Sequence, residues 1–191
     1  MTEKTMLKRL KRDHQHIAIL LDILTGKHIR LAEGEAVNFN LIRDIVEYMQ
    51  GYTEHSHHPL EDITYDYYVK KMANIGKPLE SNDQLHREHD KITQATSSLM
   101  YSLNMILSDV VISREKLISD LVNYTQLQLA HMQFEEKLLF PQFAQHLDED
   151  DWQAIEKICY TKLVDDPLFS DNDNVIFEEL REHIARVDKK R

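Results

Sequence analysis

Leu129-Ala130-His131-Met132-Gln133-Phe134-Glu135-Glu136-Lys137-Leu138-Leu139-Phe140-Pro141 is the stretch whose reading decides the fold. As a helix it places His131 and Glu135 four residues apart on one face, so an imidazole nitrogen and a carboxylate oxygen converge on a single ion. With 33 acidic residues in 191, each histidine has about a one-in-six chance of an acid at that spacing, so one such pair decides nothing. A second copy lifts it above background. His57-His58-Pro59-Leu60-Glu61 repeats the pattern, and a lone histidine precedes each copy at matching distance, His14 by 43 residues and His89 by 42. The chain reads as one two-helix unit written twice, over 5–72 and 84–145.

Composition bounds the rest. Glycine and proline number four each, which suits an all-helical chain. The formal net charge of −10 predicts no nucleic-acid and no membrane partner, with Lys8-Arg9-Leu10-Lys11-Arg12 as the one basic cluster, read as a solvated helix face. The first residues hold no apolar run suited to a signal peptide, and no eighteen-residue apolar run occurs, so the expected location is the cytoplasm. A single cysteine, Cys159, excludes an internal disulfide and a thiolate cluster.

The expected architecture is all-α, an up-down antiparallel four-helix bundle over 1–146 with two extra helices over 147–191 that pack on it. Helix one runs from Thr5 to a stop near Gly26, with Leu7, Leu10, His14, Ile17, Leu21 and Leu24 inward and His16 exposed. Helix two starts near Asn38 to Asn40 and turns Ile42, Val46, Met49, Thr53, His57, Leu60 and Glu61 inward, with a kink or a local break at Pro59, close to the candidate ligands. Gly76-Lys77-Pro78 and Ser81-Asn82-Asp83 mark the connection between the halves. Helix three carries Leu85, His89, Ile92, Thr96, Leu99, Leu103 and Ile106. Ser113 caps helix four, whose inward face reads Leu117, Leu121, Tyr124, His131, Phe134, Glu135 and Leu138, and Pro141 bends or ends it. Asp148 to Asp151 start a fifth helix, and a sixth spans about Val175 to Val187.

Four histidines and two glutamates thus face one core: His14, His57, Glu61, His89, His131 and Glu135. Six unpaired polar groups there would be costly, and metal removes the cost. Two ions can share the set if both carboxylates bridge, each ion holding two imidazoles and keeping one octahedral position vacant for a small ligand. Nitrogen and oxygen donors without thiolate suit iron first, with zinc or manganese as substitutes in isolated protein.

Asp13-His14-x-x-Ile17, His57-His58-Pro59-Leu60-Glu61-Asp62, Glu88-His89-Asp90 and His131-x-x-x-Glu135-Glu136-x-x-Leu139-Phe140-Pro141 together resemble the hemerythrin-like, or HHE cation-binding, family. Trp152 and Asp166-Pro167-Leu168-Phe169 resemble the helical tail of its bacterial members. The resemblance implies a non-haem di-iron site with an oxo or hydroxo bridge, held by the six residues above. It also implies a small partner: dioxygen, nitric oxide or peroxide. One departure stands out, since oxygen carriers of the family have a second histidine where this chain has Leu85. His58 and His86 are therefore candidates for a fifth ligand. With no acid-base pair outside the ligands and no catalytic residue assigned, binding or sensing of a diatomic gas is the first expectation. A di-iron enzyme consuming peroxide or nitric oxide is the alternative, followed by iron storage or donation. Contact between copies through the C-terminal helices is a further expectation.

Overall fold

The computed structural model describes residues 3–78, 83–170 and 177–188, and among these every regular element is helical. Four long rods make the body. The first is α1 (Glu3–Ala32). The second is α2 (Phe39–Tyr48), continued through a π-helical segment, Met49–His57, into α3 (His58–Asn74). The third is α4 (Gln84–Leu107). The fourth is α5 (Arg114–Phe134), continued through a π-helical turn, Glu135–Leu139, into α6 (Phe140–His146). α1 packs on α5, α5 on α4, and α4 on α2.

Rod boundaries follow local chemistry. α1 runs past Gly26, where nothing demands a positive φ, and stops at Gly34 (φ 85°). There Glu35 N–H donates to Arg30 O (2.9 Å) and Gly34 N–H to Leu31 O (3.2 Å), a Schellman close that satisfies the last carbonyls. The expected stop at Gly26 is thus eight residues early: a lone glycine costs a helix only about 1 kcal/mol, which the buried Leu24 and Leu31 offset. Asn38 and Ser113 cap α2 and α5 through Leu41 N and Lys116 N.

The prolines act differently from a plain kink or stop. Pro59 and Pro141 each come just after a π-helical stretch: His58 N–H donates to Thr53 O and Phe140 N–H to Glu135 O, five residues back. A widened turn ahead of a proline relieves the clash between its ring and the preceding turn, so both rods continue. The extra residue also rotates the helix beyond it. Leu138, expected inward, is 58 % exposed, while Leu139 and Phe140 are buried instead.

Two apolar clusters flank the middle of the bundle. One gathers Leu21, Leu24, Ile42, Ile45, Leu99, Leu121 and Tyr124, the other Leu10, Leu60, Phe140 and Phe143. α7 (Glu149–Cys159), started by an Asp148–Asp151 capping box, lays Trp152, Ile155 and Cys159 on the second cluster. Phe177, Leu180 and Ile184, the last two on α8 (Glu178–Asp188), join the first. The expected start of that helix at Val175 lies outside the described residues. Trp152→Ala should destabilise the protein by about 3–5 kcal/mol in denaturant titration, because a fully buried indole leaves a cavity that helices cannot close. No described helix is long and apolar enough to cross a membrane.

Candidate metal centre

Where the rods face one another between the apolar clusters, His14, His57, Glu61, His89, His131 and Glu135 meet, all buried. His57 Nε2 lies 3.0 Å from Glu61 Oε1, and His14 Nε2 lies 3.4 Å from the same oxygen. His89 Nε2 lies 3.4 Å from Glu61 Oε2. Glu135 Oε2 stands 3.2 Å from His14 Nε2 and 3.3 Å from His131 Nε2. Each glutamate therefore touches imidazoles from both halves of the repeat.

The other ring nitrogens face acids. Nδ1 of His14 donates to Glu136 (3.0 Å), that of His57 to Asp13 (3.3 Å), that of His89 to Asp62 (2.8 Å) and that of His131 to Glu88 (3.2 Å). A carboxylate only accepts, so Nδ1 carries the proton and, in each neutral ring, the Nε2 lone pair points inward. That tautomer is the one a metal ligand needs, and an acid behind the imidazole fixes its orientation and basicity. These four acids adjoin ligand candidates in sequence: Asp13 beside His14, Asp62 beside Glu61, Glu88 beside His89 and Glu136 beside Glu135. Asp62→Ala should weaken metal binding about 10- to 100-fold in competitive chelator titrations while the fold persists.

Lone pairs aimed at lone pairs leave a deficit. His89 Nε2 and His131 Nε2 are only 3.1 Å apart. His14 Nε2 and all four oxygens of Glu61 and Glu135 are buried without a hydrogen-bond partner among the described residues. The protonation equilibria of these groups carry the same strain. Burial pushes His14 down, but Glu135 and Glu61 overcome it and carry the imidazole up to about 10. Against the same burial, Glu61 and Asp13 bring His57 to about 9, and Asp62 and Glu61 bring His89 to about 10. Glu61, despite its burial, is held well below the usual range by His57, His14 and His89. Burial and then the charge of Glu61 push Glu135 up. Protons thus fill a space that suits divalent cations, and the donor set of imidazole and carboxylate without thiolate suits iron, zinc or manganese. Ligand atoms fall into two groups that share Glu61: His14 with His57, and His58 with His89 and His131.

The sequence model for the hemerythrin HHE cation binding domain matches residues 5–143. The chain belongs to that family. No curated relative and no solved structure matches it at a significant level. Metal binding is the property the family's description carries, and these buried groups fit it.

The two extra candidates part company. His58 is fully enclosed, its ring stacked on His89 (centroids 4.0 Å, 14°), and burial, then the charge of His89, holds it well below its ordinary range. A neutral imidazole within the cluster is available as a donor. His86 lies outside the cluster, with Nδ1 on Asp83 (2.7 Å) and Nε2 near Asp62 (3.5 Å). His16, expected exposed, is half-buried, because Asp166 (2.9 Å) and the ring of Phe169 hold it. That pairing spans 150 residues, which no local pattern reveals. Of the tyrosines, Tyr52 approaches the centre through Asp13 (3.1 Å), whereas Tyr65 packs on His86.

Proposed function

We propose that this HHE-family chain is a non-haem di-iron protein that binds a diatomic gas, dioxygen or nitric oxide, for binding or sensing in the cytoplasm. One observation carries the reading: four imidazoles, each backed by an acid at Nδ1, turn Nε2 toward two buried carboxylates that have no other partner among the described residues. Glu61 and Glu135, each near imidazoles of both halves, would bridge; His14 and His57 would serve one ion, His89 and His131 the other. His58 would add a third imidazole to the His89 and His131 group, so the His14 and His57 group, with fewer donors, would be the one open to a small ligand. The ions would supply reversible redox chemistry and a Lewis-acidic position. The residues supply orientation through their acids and a dry enclosure, with Phe140 against His14 (5.0 Å) on one side.

Metal analysis and the optical spectrum of the reduced protein, before and after exposure to air or nitric oxide, test this. About two irons per chain and new bands that reverse on removing the gas are expected. Fewer than one metal per chain, or a spectrum indifferent to both gases, refutes it. Bands that decay as peroxide or nitric oxide is consumed would replace gas binding with turnover.

A further inference from the structure

The basic cluster Lys8-Arg9-Leu10-Lys11-Arg12 is unusual on a chain of net charge −10. Arg9 and Arg12 lean on Asp13 (3.9 and 3.5 Å), the acid behind His57, whereas Lys8 and Lys11 lie outside the metal centre. Lys8, Lys11 and Arg12 are exposed, and the spacings 8, 12 and 9, 12, 16 put Lys8, Arg9, Arg12 and His16 on one side of α1. A surface hollow of about 190 Å³ opens there, lined by Arg9, Arg12 and His16 on one side and by Asp165, Asp166 and Phe169 on the other. Lys162 is exposed beside it, and its carbonyl accepts from Ser56 (2.9 Å).

From the floor of this hollow a row of rings leads inward. His16 stacks on Phe169 (3.9 Å, 14°), and Phe169 meets Tyr48 edge-on (6.2 Å). Tyr48 stacks on Tyr52 (5.5 Å, 23°). Tyr52 donates its hydroxyl to Asp13 Oδ2 (3.1 Å), the same oxygen that accepts from His57 Nδ1 (3.3 Å). Electron tunnelling weakens steeply across empty gaps and is helped by stacked rings and hydrogen bonds. An imidazole at the hollow is thus joined to a candidate metal ligand through rings and hydrogen bonds, and around the mouth the exposed cations Lys8, Lys11, Arg12 and Lys162 outnumber the one exposed acid that lines the hollow, Asp165.

We propose that this face docks an acidic one-electron carrier protein, and that the His16–Phe169–Tyr48–Tyr52 row conducts its electron to the metal pair. One electron leaves the reduced carrier, which is oxidised by one, and one metal ion is reduced by one; no bond is made or broken. Redox encounters bury little area and depend on complementary charge, so a local basic patch on an acidic chain serves where general attraction is absent. The conduction step rests on the di-iron reading, whereas the docking step does not.

A reduced flavodoxin serves as the probe. Association is measured with metal-free and iron-loaded protein for the wild type and for Lys8→Glu/Lys11→Glu/Lys162→Glu, three exposed changes outside the metal cluster. Charge reversal should weaken association at least about tenfold at low salt, with the gap closing at high salt. Reduction of the loaded protein within the complex is then monitored for Tyr48→Leu and Tyr48→Phe. Tyr48→Leu should slow it at least about tenfold with binding and optical spectrum unchanged, and Tyr48→Phe, which keeps the ring, should restore it. Equal association of wild type and triple variant overturns the docking face. So does tight binding to duplex DNA or phosphatidylglycerol vesicles that flavodoxin does not displace. Equal rates for the two Tyr48 variants overturn the row of rings. Failure to load iron removes the di-iron reading and leaves the association result standing.

Discussion

Glu61→Ala should abolish metal binding, taking the purified chain from about two ions to fewer than about half of one. No other carboxylate of the cluster has four imidazoles around it: His57 at 3.0 Å, His14 and His89 at 3.4 Å, and His131 at 4.0 Å. Its loss removes a donor from both ligand groups at once. The metal-free protein suffers too, because His14, His57 and His89 hold their protons partly against Glu61. Removing one partner from a buried charged cluster costs about 3–5 kcal/mol. For a domain of this size that lowers the melting temperature by roughly 6–20 °C. Glu136→Ala is the contrast, since that side chain is 52 % exposed and touches one imidazole: a modest loss of affinity, with nearly unchanged melting. Full metal content in Glu61→Ala would remove this residue from the centre.

The second large effect is the exchange of protons for metal. His14 and His89 sit at about 10 and His57 at about 9 in the metal-free fold, against 6.5 for an unperturbed imidazole. A folded-state value raised above the unfolded one means that the fold holds extra protons between the two. The associated stability is therefore complete below pH 6.5 and drains away as pH rises toward 10. Metal-free protein should lose melting temperature steadily from pH 6.5 to 10. Loaded protein should not, because ligated imidazoles carry no proton at Nε2. Loading at pH 7 should release about three protons per chain, measurable by calorimetry in buffers of different ionisation enthalpy. A metal present at about a thousand times its dissociation constant adds about 4 kcal/mol. A flat melting profile for metal-free protein over that window would show that the three imidazoles are neutral, and would sink the exchange.

How far the sequence spoke depends on how local each signal is. The inward stripes of the four rods, and the six residues that the repeat selects, come from helical spacing alone, and those six meet in one place. The acids behind the imidazoles lay in plain sight next to the ligand candidates; what hid them is that each serves a histidine on another rod. Asp62, for instance, adjoins Glu61 and holds His89. Misplacement of Leu138 has a different cause, because a stripe counted at about 3.6 residues per turn cannot include a π-helical turn. Pro141 was the cue, since a proline inside an amphipathic run must be accommodated by widening or by breaking. The contact between His16 and Asp166 depends on where the tail settles, which carries no periodic signature.

The pattern of acids also bears on how the two halves relate. Asp13 and Glu88 steady histidines in their own half, but Glu136 reaches across to His14 and Asp62 to His89. Neither hairpin is self-sufficient: each lends one carboxylate and borrows one. Two identical hairpins related by a two-fold axis would satisfy the same lending rule, so the chain has the internal logic of a homodimer written as one polypeptide. Its halves are free to diverge everywhere except at the loans, where a change in one must be answered in the other.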